Sequence, residues 1–320
     1  MSRRKLLSLS LSKGHNCFSC GLESGLVVYN VQPLARLLKL DFETVGGVGH
    51  VEMLQRSNLI VFVGGGQAPK FPLHQVMIWD DFLKKFVYEI AFPTPVLSLR
   101  LRKNKLIVVL QSSIHVFSFP NPVEKLLTIP TQTNPKGLCE VCTSVDCQLM
   151  IYPGPQTGSI QITDLLTIED PGRASTERLV QAHQHEVVCM TLNQSGTLLA
   201  SASSKGTLVR VHNTQTRVLL VEFRRGADPA NISCINFSQD SAFLCVSSDK
   251  GTVHVFAVQD QSLNRKSTLA QVGIGQLSKT VGTYVDSQWD CAQFALPSEI
   301  PSLCFFTLDT KSVIGKFISI

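Results

Sequence analysis

Two adjacent arginines are the residues in this chain best placed to do chemistry. Phe223-Arg224-Arg225-Gly226 follows an apolar run, Val218–Val221, and precedes the turn Ala227-Asp228-Pro229. In a strand, neighbouring side chains leave on opposite sides. Arg224 and Arg225 are therefore expected to reach in opposite directions, one toward each neighbouring repeat. A guanidinium is a planar, permanently charged fork that matches the oxygens of a phosphate or a carboxylate. A solvated charge pair at a strand end is the plain alternative. The tetrapeptide by itself leaves both readings open.

Three other groupings suggest chemistry and are set aside. Cys17-x-x-Cys20 and Cys139-x-x-Cys142, with Cys147 nearby, have the spacing of a four-cysteine zinc site. Cys17 and Cys20 sit in a strand-like run, where positions three apart face opposite sides. A zinc knuckle needs a turn that aims both sulfurs at one metal. The two pairs also lie in different repeats, so buried thiols are the expectation and no metal is assigned. Gly64-Gly65-Gly66 followed by Lys70 lacks the Gly-Lys-Ser/Thr of a phosphate loop, and Pro69 and Pro72 prevent a following helix. His183 and His185 have no second cluster to make a metal or general-base site. No Ser/His/Asp constellation has local support, so the chain is expected not to be an enzyme.

Elements must hold the arginines, and composition says they form a core. The chain has 320 residues, 44% hydrophobic and 17% charged, which is a core-former and not a disordered tail. Twenty-nine basic and 24 acidic residues give a net charge of +5, too little for a protein that coats nucleic acid. The longest apolar runs, such as Leu59–Val63 and Leu106–Leu110, are far short of the roughly twenty residues of a spanning helix. Ser8 and Ser10 interrupt the apolar stretch after Arg3, Arg4 and Lys5, so an export signal is not expected. The ten cysteines are then expected as reduced thiols in the cytosol.

The chain repeats. Around Gly25, Gly158, Gly206 and Gly251 it shows one design: a short apolar strand, a polar turn, then Gly and a further strand. Weaker copies are Leu59–Val63 with Val76–Trp79 and Leu106–Leu110 with Ile114–Phe119. Thr207–Val211 and Thr252–Phe256 alternate apolar with small or polar side chains, a period-2 signal. Ser204-Lys205-Gly206 and Asp249-Lys250-Gly251 are tight-turn chemistry between antiparallel strands. Units of about 40 to 45 residues with about four strands each are the mark of propeller blades. The expected fold is all-β: one seven-bladed, WD40-like β-propeller over residues 1–320. The seventh blade is expected to be incomplete. After a strand at Trp289–Leu296, the tail supplies only Ser302–Leu308 and Ser312–Ile318, unless the N-terminal strand fills in.

One segment breaks the rhythm. Residues 259–288 form a long connection, and loops of that length are often functional. From Gln261 to Val285 there is no Asp or Glu. Arg265, Lys266 and Lys279 sit among Leu263, Leu269, Val272, Ile274, Leu277, Val281 and Tyr284. Wound as a helix, Leu269, Val272, Leu277, Val281 and Tyr284 share one broad face, although Gly273, Gly275 and Gly282 weaken that helix in water. One reading packs this loop on the barrel side. The other makes it a membrane-facing loop whose apolar groups enter lipid while its cations meet anionic headgroups.

Phe223-Arg224-Arg225-Gly226 in this repeat context resembles the signature of the PROPPIN family, seven-bladed propellers that bind phosphoinositides and act in autophagy. Ala182-His183, Leu199–Arg210 and Cys245–His254 flank the motif in the family's order. Val63–Gly66, Val76–Asp80 and Asn134–Leu138 match as well, so the resemblance runs from about residue 6 to Leu296. Leu263–Lys266 and Tyr284–Trp289 are most similar to the WIPI-type members that engage the autophagic lipid-transfer protein.

The resemblance implies two headgroup pockets, one on each side of the arginine pair. The first would hold His183, Ser201, Ser203, Gly206, Thr207, Arg210 and Arg224. The second would hold Arg225, Gly226, Ser248, Thr252 and His254. The implied ligands are phosphatidylinositol 3-phosphate and phosphatidylinositol 3,5-bisphosphate. The implied location is cytoplasmic, with peripheral recruitment to preautophagosomal, phagophore and endosomal membranes. No cofactor is implied. The chemistry suits the residues: a phosphomonoester carries about −1.5 to −2 charges and three acceptor oxygens, and hydroxyls add short donors. A protonated histidine donates from both nitrogens, so mildly acidic pH is expected to tighten binding. The first-blade turn Ser12-Lys13-Gly14-His15 departs from the Asn and Asp usual there, which weakens the expectation of partner binding. A propeller scaffold that binds only proteins is the alternative.

Overall fold

The computed structural model describes residues 5–12, 16–54, 57–168, 178–266, 288–296, 302–306 and 318–319. Its strands follow one another as antiparallel meanders, each sheet a blade. The first sheet is β1 (Leu6–Leu11), β2 (Cys17–Leu22), β3 (Gly25–Asn30) and β4 (Ala35–Asp41). A one-turn helix, α1 (Phe42–Val45), is capped by Asp41, which accepts from the Thr44 amide. It leads into β5 (Gly46–Met53), β6 (Leu59–Pro69), β7 (Gln75–Asp80) and β8 (Lys85–Ala91). The third sheet is β9 (Ser98–Arg102), β10 (Lys105–Val109), β11 (Ser113–Ser118) and β12 (Lys125–Pro130). The fourth is β13 (Glu140–Val141), β14 (Leu149–Pro153), β15 (Ser159–Asp164) and β16 (Arg178–Gln181). The fifth is β17 (Val187–Leu192), β18 (Leu198–Ser203), β19 (Leu208–Asn213) and β20 (Leu219–Arg224). The sixth begins with β21 (Ile232–Phe237), β22 (Phe243–Ser248) and β23 (Thr252–Ala257).

Four short strands complete the chain: β24 (Gln288–Trp289), β25 (Ala292–Ala295), β26 (Ser302–Leu303) and β27 (Ile318–Ser319). The expected single strand Trp289–Leu296 is divided between two blades. Its start, β24, adds in parallel to β20 of the fifth blade, and β25 closes the sixth blade against β23. The expected count of seven blades is met only in part. Six sheets have four or more strands among the described residues, and β26 with β27 makes a two-stranded seventh. The N-terminal strand does not fill that sheet, because β1 pairs with β2 in the first blade.

Burial explains why these segments are strands. Strands in the middle of a blade meet a neighbouring blade on each face. All of β10, Lys-Leu-Ile-Val-Val, is therefore buried, while the outer β12 is mostly exposed. The apolar clusters lie between consecutive blades. Leu26 and Val28 pack with Ile60 and Phe62, and Phe223 packs with Leu244 and Phe256. The tail closes the ring: Cys304 and Phe306 join the sixth blade's cluster, and Phe305 joins Phe18, Cys20 and Val31 of the first. Residues of β1, β5, β9, β13, β17, β21 and β26 line a central cavity of about 300 Å3. Arg100 spans it, 3.0 Å from Glu140 and 3.5 Å from Glu52.

Candidate phosphate-binding site

The arginine pair sits at the end of β20, where the fifth blade meets the sixth. The backbone of Arg224 is in register with Leu208 on one side and Trp289 on the other. Arg224 is half-buried and Arg225 is buried. Arg225 Nε donates to the Gly206 carbonyl at 3.0 Å, and its guanidinium also reaches the Asp228 carbonyl. Its amide donates to the Thr207 carbonyl at 2.9 Å. Burial draws its pKa below the ordinary arginine value, against the opposing charges of Asp249 and Asp228. Gly206 has φ +65°, and a Cβ there would lie 1.8 Å from the Ala230 carbonyl oxygen, so the turn demands glycine. Gly226 is different: a Cβ there meets nothing within 4 Å. Among the described residues nothing occupies that space.

Around the pair, the fifth blade supplies one set of groups. His183 and Ser201 are buried, with His183 Nε2 2.9 Å from Ser201 Oγ. Ser201 is the register partner of Arg210. Arg210 donates to Glu222 Oε2 at 2.8 Å and to the Ala182 carbonyl at 2.7 Å. Ser203 and Thr207 are buried at the β18–β19 turn. The structure thus brings His183, Ser201 and Arg210 together. The hydrogen bonds from the arginine pair to Gly206 and Thr207 come through Arg225, so the two implied residue sets are interlocked.

His183 corrects one expectation. Burial, with Arg210 beside it, lowers its pKa to about 4. In the ligand-free protein the imidazole is therefore neutral at mildly acidic pH.

The sixth blade supplies the second set. Ser248 is fully buried and His254 is buried. His254 Nε2 lies 3.1 Å from Thr252 Oγ1, and Nδ1 lies 2.6 Å from Asp290 Oδ2. Asp290 is buried and also accepts from Arg265. Burial pushes the Asp290 carboxyl up, but the bonds from His254 and Arg265 outweigh it and hold it below the usual carboxylate range. An ionised Asp290 accepts a hydrogen bond from Nδ1. Thr252 Oγ1 is within hydrogen-bond reach of the other ring nitrogen, Nε2.

The long connection starts and ends beside this network. The buried Asn264 side chain accepts from the Ala257 amide and donates to the Ala257 carbonyl and to Gln288 Oε1. Lys266 and Gln288 form an antiparallel bridge. Leu263 is 53% exposed. Leu269, Val272, Ile274, Leu277, Val281 and Tyr284, with Lys279, lie outside the described residues, as do Lys13, Gly14 and His15 of the first-blade turn. No helix among the described residues is long and apolar enough to cross a membrane.

Sequence reasoning missed Glu222 and Asp290, two acids in this site. Glu222 was signalled by period-2 spacing from Arg224 within an otherwise apolar strand. Asp290 carried no signal, because it faces His254 through a chain reversal that spacing does not show. The cysteine expectation agrees with the packing: Cys17 and Cys20 are buried in different apolar clusters.

Fold and site together define a β-propeller with an adjacent arginine pair at a strand end where two blades meet. The chain belongs to the PROPPIN family, whose model matches residues 6–290. It is 32% identical over 295 residues to SVP1-like protein 2 of Pichia angusta, covering 92% of this chain and 81% of the relative. It is 30% identical over 328 residues to Autophagy-related protein 18 of Dictyostelium discoideum, covering 96% and 85%. Among solved structures, Kluyveromyces lactis Hsv2 with its complete loop 6CD superposes with a TM-score of 0.77 at 28% identity, covering 96% of this chain and 88% of that one.

Proposed function

We propose that this chain is a phosphoinositide-binding effector of autophagy. It is proposed to dock on membranes bearing phosphatidylinositol 3-phosphate or phosphatidylinositol 3,5-bisphosphate. The observation that carries the reading is Arg224-Arg225 at the junction of the fifth and sixth blades; Ser201, Thr207, Ser248, Thr252 and the imidazoles of His183 and His254 are proposed to complete the pockets. Each group suits a phosphomonoester: the guanidinium by charge and fork geometry, the hydroxyls as short donors. The open space at Gly226 leaves room for a headgroup beside the backbone.

The role is recognition and not catalysis. Two headgroup contacts on one rigid body act together, because the first raises the effective concentration of the second. The proposed membrane-facing loop, residues 259–288, adds apolar insertion to headgroup binding. In this reading the propeller has seven blades, is cytoplasmic, and moves to phagophore and endosomal membranes. There it helps to recruit the autophagic lipid-transfer protein. The Dictyostelium relative's name, Autophagy-related protein 18, supports the process.

Liposome flotation tests the proposal. Vesicles with and without phosphatidylinositol 3-phosphate are compared for the wild type and the Arg224→Ala/Arg225→Ala double variant. The wild type is expected to float only with the phosphorylated lipid, and the variant to lose at least tenfold in partitioning. A folded wild type that ignores the lipid replaces this reading with a scaffold that binds only proteins.

A further inference from the structure

Cys142 and Cys147 lie in the connection from β13 to β14, away from the arginine pair. Cys142 Sγ donates to the Gln194 carbonyl at 3.4 Å. Cys142 is buried and Cys147 is partly exposed. The next blade presents a bare backbone to both. A Cβ at Gly196 would lie 2.4 Å from Cys147 Sγ and 2.8 Å from Cys142 Sγ, and Gly196 has φ +74°. A glycine there leaves the two sulfurs one shared space, with no side chain between them.

Two buried cations of the third blade hold the same segment. Arg102 donates to the Cys142 carbonyl at 3.4 Å and to the Ser144 carbonyl at 3.2 Å. Lys105 Nζ donates to Gln148 Oε1 at 3.1 Å. Thiolates are favoured near such charge. The neighbouring Cys142 thiol is the largest influence on Cys147 and lowers its pKa to about 7, with Arg102 adding to it and burial and Asp164 opposing. The neighbouring Cys147 thiol and burial push Cys142 up. Burial raises Cys20 to about 11, and Cys189 and Cys291 also sit above the ordinary thiol value.

We propose that Cys142 and Cys147 form a redox site: hydroperoxides oxidise Cys147, and Cys142 resolves the product to a reversible disulfide. The Cys147 thiolate attacks one peroxide oxygen. The O–O bond breaks, and the departing oxygen takes a proton and leaves as water. Cys147 is now a sulfenic acid. The Cys142 sulfur attacks the Cys147 sulfur, the S–O bond breaks, and a second water carries away the Cys142 proton. Two thiols are oxidised and one hydrogen peroxide is reduced to two waters.

The test uses the full chain, folded, at pH 7 with near-stoichiometric hydrogen peroxide. Intact mass should fall by about 2 Da, and dithiothreitol should reverse the loss. Peptide mapping without reductant should place the bond between Cys142 and Cys147. Cys142→Ser should instead accumulate a sulfenic acid at Cys147 that dimedone traps, and Cys147→Ser should do neither. A wild type that keeps its mass, or whose bond maps to other cysteines, overturns the proposal. The mapping needs no variant, so a substitution that unfolds the chain does not blunt the test.

Discussion

The arginine pair was legible as a motif because adjacent charges at a strand end stand out against apolar neighbours. The acids that hold the neighbouring charged and imidazole groups were not. Glu222 holds Arg210 through cross-strand register, and Asp290 holds His254 across 36 positions of sequence. Spacing along one strand reports neither relation. Burial was equally hidden, and it reverses the expectation for histidine. His183 and His212 both have a pKa lowered to about 4, chiefly by burial, with Arg210 adding to each. Unfolded, each takes a proton below about 6.5. Between those values the unfolded chain binds more protons, so folding stability falls as pH drops from about 6.5 toward 4. The melting temperature should decline across that window. His212→Gln, away from the proposed ligand, should flatten part of the decline. An equally steep decline in that variant would remove His212 from the account.

At the scale of elements, the repeat was legible because four blades reuse one strand–turn–strand unit with glycine at a fixed place. The division of Trp289–Leu296 between two blades was not, since neither half is longer than four residues and both are hydrophobic enough for either sheet. The two glycines beside the arginine pair allow the roles of the turn to be separated. Gly206→Ala puts a Cβ against the Ala230 carbonyl at positive φ, and the backbone must shift. A loss of about 2 kcal/mol or more is expected in urea unfolding. Gly226→Ala meets open space, and its stability should stay within about 0.5 kcal/mol of the wild type. If a headgroup uses that space, Gly226→Ala should still reduce flotation severalfold. Unchanged flotation would place the phosphate elsewhere around the pair.

At the scale of the whole molecule, the count of six units and a tail was legible, but how the tail closes the ring was not. Closure depends on the two sides of one short segment. Cys304 and Phe306 pack into the sixth blade, while Phe305 between them packs into the first. Side chains that alternate along an extended chain can serve two neighbours at once, and here the neighbours are sheets some 200 residues apart in sequence. Phe305 is 2% exposed, so Phe305→Ala should cost about 3–5 kcal/mol as a buried aromatic truncation. The place of the loss is the sharper reading. Hydrogen exchange should quicken in β2 and β3 of the first blade, whose cluster loses its partner, and not in the third blade. Phe306→Ala should instead quicken exchange in β22 and β23 of the sixth. If both variants loosen the same blade, the segment is not the clasp between them, and the ring is held by contacts elsewhere along the first and sixth blades.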